Sequence, residues 1–200
     1  AVGGNALEAN TTASNNTAVG FDSLKANTTG TQNVALGTYA LDANTTAHNN
    51  TAIGYNSLGA NTTGTENTAV GMQALQQNVT GQVNTAVGVQ ALRNNTGGAN
   101  TAVGRHALLS NTSGNDNTAV GKDSMQSNST GSQNTGIGQN ALYSNTTANH
   151  NTAVGNNALL NNTTGEFNTA VGANVLDANT TGDSNTAVGR ASLGSNTTGE

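Results

Sequence analysis

Cysteine, proline and tryptophan are absent from this 200-residue chain. Without cysteine there is no disulfide framework and no thiolate metal site, and the redox compartment is left open. Aromatic residues make up 2% and charged residues 8%, with apolar residues of every kind at 33%. A chain so poor in large side chains does not build an ordinary three-dimensional core. The scarcity of charge also separates it from typical disordered chains, which are highly charged. Five Lys/Arg against ten Asp/Glu give a net charge of −5 with no basic patch, so nucleic acid is not an expected partner. No apolar run approaches transmembrane length, and no membrane insertion is expected.

What the chain has is repetition. "NTTGTENTAVG" begins at Asn61, "NTSGNDNTAVG" at Asn111, "NTTGEFNTAVG" at Asn162 and "NTTGDSNTAVG" at Asn179. The full template is T-A-V-G-x-x-A-L-x-x-N-T-T-G-x-x-N, seventeen residues long, here numbered as slots one to seventeen. Units begin at Thr17, Val34, Thr51, Thr68, Thr85, Thr101, Thr118, Thr135, Thr152, Thr169 and Thr186, after a first unit that lacks only its Thr. The unit from Thr85 to Asn100 is one residue short, and a tightened turn at Gly97 and Gly98 is expected to absorb the loss. Residues 1–200 read as a single repeat array without visible capping units, and the expectation is a segment of a longer fibre.

The slots divide by chemistry. Slot three is always a branched aliphatic: Val19, Leu36, Ile53, Val70, Val87, Val103, Val120, Ile137, Val154, Val171 and Val188. Slot eight holds Leu24, Leu41, Leu58, Leu75, Leu92, Leu108, Met125, Leu142, Leu159, Leu176 and Leu193. Slot two is Ala, relaxed once to Gly136. Replacement only by apolar groups of similar size marks packed positions. The x slots behave oppositely, taking all the charged residues, all three His and all five aromatics, and are expected to face solvent.

Seventeen residues are too few for helical repeats, and every unit carries Gly, β-branched residues and several Asn, which disfavour helix. The fold expected is all-β: a parallel β-solenoid, or β-roll, of about 12 coils. Each coil would have a strand over NTAVG, a bend, a short second strand over AL and a closing turn at NTTG. Gly at slots four and fourteen would supply positive φ at the corners. Coils stacked ~4.8 Å apart make a rod of about 58 Å. Invariant Asn residues then fall above one another and hydrogen-bond along the axis. This ladder comprises Asn33, Asn50, Asn67, Asn84, Asn100, Asn117, Asn134, Asn151, Asn168 and Asn185.

Each coil carries only two large apolar side chains, so a lone solenoid looks thinly provided. Thr and Val of the strand point to one face, Asn, Ala and Gly to the other. If the Ala face closes the roll, the Thr/Val face is free to pack on neighbouring chains. Val19, Val70 and Val154 are then expected to be equivalent and buried, with Phe21, Tyr55 and Arg105 exposed near one edge.

The strand "NTAVG", with "NTAIG" from Asn50 and "NTGIG" from Asn134, resembles the head repeat of YadA-like trimeric autotransporter adhesins. It is similar too to tail-fibre-like repeat arrays. The resemblance covers the whole chain. It implies left-handed parallel β-rolls, three chains around one axis with the branched aliphatic towards it, at a cell or virion surface.

Signals for chemistry are weak. "GIGQNA", from Gly136, matches a dinucleotide fingerprint, but no βαβ pattern surrounds it. "VGKD", from Val120, lacks the Ser/Thr of a phosphate loop. His48, His106 and His150 occupy solvent slots, and no catalytic constellation recurs. "NTT" sequons are by-products of the repeat. No catalytic residue, cofactor or metal is expected, nor enzymatic activity. The function expected is a structural shaft or adhesive segment of an extracellular trimeric fibre serving surface or host attachment. Its partner would be itself, with end-to-end filament growth as an extension, and a receptor not specified by sequence. The alternative is an ice-binding solenoid using Thr ladders.

Overall fold

A computed structural model describes residues 1–199. Eleven short strands are present: β1 (Thr17–Val19), β2 (Val34–Leu36), β3 (Thr51–Ile53), β4 (Thr68–Val70), β5 (Thr85–Val87), β6 (Thr101–Val103), β7 (Thr118–Val120), β8 (Thr135–Ile137), β9 (Thr152–Val154), β10 (Thr169–Val171) and β11 (Thr186–Val188). They form one parallel sheet in chain order, and no helix occurs among the described residues. The fold is a β-solenoid with one strand per seventeen-residue coil, as the periodicity predicts. Register is uniform: Thr51 pairs with Thr68, Ala52 with Ala69 and Ile53 with Val70. An isolated bridge between Val2 and Val19 carries the same pairing into the first unit.

Each strand is a β-branched–Ala–aliphatic triplet, with Gly136 in place of Ala in β8, and its alternation decides the inside of the coil. Ala69 is fully buried, while Thr68 and Val70 on either side point outward. Slot eight completes the core: Leu24 through Leu176, with Met125 among them, are inaccessible to solvent. Leu193, in the final coil, has no coil above it and is exposed.

Two expectations about the coil are corrected. No second strand forms over AL. In its place runs a six-residue turn in which slots six and eight both adopt left-handed φ, as at Gln73 (59°) and Leu75 (50°). The Leu75 N–H nonetheless donates to the Ala91 carbonyl of the next coil at 3.0 Å. Inter-coil bonding therefore continues through a backbone that is not extended. The reversal needs left-handed residues to turn the chain tightly while keeping Leu inside, and apolar spacing carries no trace of that requirement.

The second correction concerns glycine. At slot four the expectation holds, with φ of 137° at Gly37 and 136° at Gly104. At slot fourteen φ is not positive, and glycine is favoured there by close approach. A Cβ on Gly64 would collide with the carbonyl oxygen of Gly81 in the coil above. Size is the constraint, since Ala47 and Ala148 occupy the same slot and are buried.

The short unit leaves the sheet undisturbed. Thr85 pairs with Thr101, Ala86 with Ala102 and Val87 with Val103 across a spacing of sixteen. The adjustment is confined to the turn, where the Asn95 side chain reaches the Gly97 carbonyl at 2.8 Å.

Candidate interaction face

The ladder of slot seventeen forms the inner frame behind the sheet. The Asn67 N–H donates to Asn50 Oδ1 at 3.0 Å, and Asn67 Nδ2 donates to the Gly81 carbonyl at 2.9 Å. Asn67 Oδ1 in turn accepts the Asn84 N–H at 3.0 Å. The same arrangement recurs through Asn33, Asn50, Asn84, Asn100, Asn117, Asn134, Asn151 and Asn168 to Asn185. Every buried side-chain polar atom among the described residues has a partner. An amide fits this slot because it supplies an acceptor to one coil and two donors to others, whereas a carboxylate has no donor and a hydroxyl only one.

A second ladder, at slot eleven, is equally regular and is missing from the sequence-based site residues. Asn78 Nδ2 donates to Asn61 Oδ1 at 3.3 Å and to the Gly81 carbonyl at 2.9 Å. Its signal was present, since Asn recurs at this slot in every unit. Threonine at slot twelve adds a third column: Thr163 Oγ1 donates to the Thr180 carbonyl at 3.0 Å.

In front of this frame lies the outward face of the sheet, made of slots one and three. Val19, Val70 and Val154 lie on this outward face and are not enclosed within one chain. Val19 is 36% exposed, Leu36 45% and Ile137 40%, with Ile53, Val70, Val120 and Val154 half-buried. The cause is the two-residue alternation: with Ala inside, both neighbours of Ala must face out. Val87, Val103 and Val171 continue the exposed row, which ends at Val188. Thr68, Thr85 and Thr101 lie beside it, half-buried. The result is a regular face of alternating Thr and aliphatic rows along the rod.

The face has two edges. Slot five, just beyond the strand, carries the exposed residues Phe21, Tyr55, Met72, Val89, Arg105, Lys122 and Arg190. Slots fifteen and sixteen, just before it, carry Glu66, Val83, Asp116, Glu166, Phe167 and Asp183. Aromatics scattered in the sequence gather here. Tyr39 meets Phe21 edge-on with ring centroids 5.9 Å apart and Tyr55 at 6.0 Å, while His150 stacks on Phe167 at 4.9 Å. Spacing of about one coil was the available signal.

The histidines are engaged singly. His48 Nδ1 accepts the Thr31 N–H at 3.0 Å, and His106 Nδ1 lies 3.2 Å from Asp123 Oδ1. The described residues contain no group of three His, Cys, Asp or Glu placed to hold a metal, and no pocket. Asp42 is the one carboxyl with a clear perturbation: burial pushes it above its usual range, against the opposing pull of its own and Ala43's backbone N–H groups. No family model, curated protein or solved structure matches the chain.

Proposed function

We propose that this array is a non-enzymatic shaft segment of an extracellular trimeric fibre, whose Thr/Val face packs against two further copies in parallel. The supporting observation is the continuous row of half-exposed branched aliphatics at slot three on the outside of an otherwise complete coil. Contiguous apolar surface of that kind marks an interaction site. The resemblance to YadA-like heads and tail-fibre arrays supports the same reading, with the fibre at a cell or virion surface, serving attachment. Rigidity comes from the ladders, and contact with the surroundings falls to the variable slots.

Mass in solution tests the reading. The chain is expected to sediment as a trimer, three times its 19.8 kDa mass. Val70→Asp with Val87→Asp should yield a folded monomer, because each carboxylate would enter an apolar contact without a partner, costing several kcal/mol. A parent chain that stays monomeric at high concentration refutes the proposal.

One observation favours the ice-binding alternative. Slot-one Thr lies half-exposed on a regular sheet face, as at Thr68 and Thr85. The corner threonines are less suited, since the hydroxyls of Thr62 and Thr163 are committed to carbonyls of the next coil. Thermal hysteresis that is abolished by Thr68→Tyr and Thr85→Tyr with the fold intact would establish this reading in place of the fibre.

A further inference from the structure

Eleven of the twelve slot-eleven asparagines head an N-x-S/T triplet, the acceptor sequence for an N-linked glycan. Asn95 is the exception, because the short unit follows it with Thr96 and Gly97. Four more triplets, N-N-T, begin at Asn15, Asn49, Asn94 and Asn161. An occupied triplet sits on a surface loop, since the sugar is bulky and needs solvent. Here nine of the eleven, from Asn27 to Asn179, have an asparagine with no exposure at all. The fold turns its acceptor sites inward.

Asn61 shows what a sugar would displace. Its amide nitrogen has two hydrogens, and both are used: Nδ2 donates to Asn44 Oδ1 at 3.1 Å and to the Gly64 carbonyl at 3.0 Å. The other eight buried acceptors donate in the same two directions, as Asn128 does to Asn111 Oδ1 and the Gly131 carbonyl, both at 2.9 Å. Glycan transfer joins the anomeric carbon of a lipid-linked oligosaccharide diphosphate to Nδ2. The bond from that carbon to the diphosphate oxygen breaks, the carrier leaves with its diphosphate, and one amide proton is lost. One ladder bond goes with that proton, and a sugar ring must stand where the acceptor stood. There is no space for it. Even a Cβ on Gly64 would come within 2.5 Å of Asn61 Oδ1 and 3.1 Å of Asn78 Nδ2.

The unfolded chain is open to the same reaction. The Leu58 N–H donates to the Ala74 carbonyl at 3.0 Å and the Thr62 N–H to the Val79 carbonyl at 3.1 Å. The coil of Asn61 is thus completed only by a coil synthesised after it. At about 5–20 residues per second, each triplet spends on the order of a second or more as open chain before that partner exists. We infer that N-glycosylation and folding exclude one another in this chain, and that it is made on a route where no N-glycosyltransferase meets it unfolded. A glycan on a slot-eleven asparagine blocks the ladder, and a finished ladder blocks the glycan. An extracellular destination is then reached without passing, unfolded, through a glycosylating compartment. The inference concerns the stack of coils in one chain and does not rest on the trimer reading.

The test makes the full chain by two routes: in the cytosol of a bacterial host and, behind a cleavable signal, in the secretory pathway of a eukaryotic cell. The cytosolic product is expected to resist protease and to show the circular dichroism of a β-solenoid. The secretory product is expected to carry glycans on several slot-eleven asparagines, read by peptide mass spectrometry, and to lose both properties. Tunicamycin, which withholds the lipid-linked donor, should restore them on the same secretory route. Three outcomes overturn the inference. They are a secretory product that folds with its ladder asparagines glycosylated, one that folds with them empty when no drug is present, and one that stays unfolded although they are empty. A cytosolic product that does not fold overturns the solenoid itself.

Discussion

Replacing Asn67 by Ala tests the ladder where its geometry is most specific. Asn67 is fully buried, its Nδ2 donates to the Gly81 carbonyl, and its Oδ1 accepts the Asn84 N–H. Truncation leaves the Gly81 carbonyl with a remaining donor, Asn78 Nδ2 at 2.9 Å. The Asn84 N–H is left with no acceptor. It is a backbone group held in the stacked coil and cannot turn away. A stranded buried donor costs about 1–3 kcal/mol, and the lost bond to Gly81 adds about 1 kcal/mol. The expected loss is therefore about 2–4 kcal/mol. Asn78→Ala is the internal control: it strands only the side-chain oxygen of Asn61, since Gly81 keeps Asn67 and Asn95 Nδ2 keeps Gly97 at 2.8 Å. Its cost should be smaller, about 1–2 kcal/mol. Denaturant titration of both variants gives the order, and amide exchange gives the location. In Asn67→Ala the Asn84 amide should exchange far faster than that of Asn117, its equivalent two coils away. Equal losses in the two variants, or an Asn84 amide as protected as Asn117, would show that the ladder does not act through this bond.

The two glycine slots should respond differently to the same substitution. Gly104→Ala puts a Cβ at φ of 136° and 2.5 Å from the Gly121 carbonyl oxygen, both intolerable, so loss of the cooperative unfolding transition is expected. Gly64→Ala meets a close carbonyl oxygen, that of Gly81, but no positive φ, and the local shift that admits Ala47 and Ala148 at this slot can absorb it, so the thermal midpoint should fall but the cooperative transition should survive. Asp42 gives a pH prediction. Because its carboxyl titrates above the ordinary range in the folded chain, folding is favoured below the unfolded value of about 3.9 and loses that advantage as pH rises through the folded value. Asp42→Asn should thus be more stable than the parent at neutral pH, with the difference shrinking on acidification, as read from denaturant midpoints at several pH values.

Much of the fold was legible because identical slots must stack. The seventeen-residue period set the coil, the invariant size of slots two and eight marked the interior, and charge confined to the x slots marked the outside. The path within the coil was less legible. The pair AL reads as a strand by its apolar character, yet Leu75 sits at φ of 50°. Nothing in leucine announces a left-handed backbone, since it is imposed by the coils above and below. The slot-three aliphatics were legible as packed positions, and strand alternation put them on the face opposite Ala, but their residue types do not say what packs on them. The tolerance of Val19, Leu36 and Ile53 for similar replacements is the same whether the neighbour is intramolecular or not. The aromatic cluster of Phe21, Tyr39 and Tyr55 became visible only once coil height was known.

The left-handed residues have a consequence for how the molecule comes into being. In each coil slots six, eight and sixteen carry positive φ on residues other than glycine, as at Asn56, Leu58 and Glu66. Such a backbone is disfavoured by roughly 1–2 kcal/mol per residue in a chain left to itself. A solitary coil therefore leans away from its own final shape, and only a finished neighbour, offering carbonyls such as that of Ala74 to the Leu58 N–H, draws it in. Ordering should begin with a rare event that sets two or more coils together, then spread outward one coil at a time. Growth of that kind is templated, closer to the extension of a crystal than to the collapse of a globule. The repeated phrase in the sequence is the instruction to copy the layer beneath.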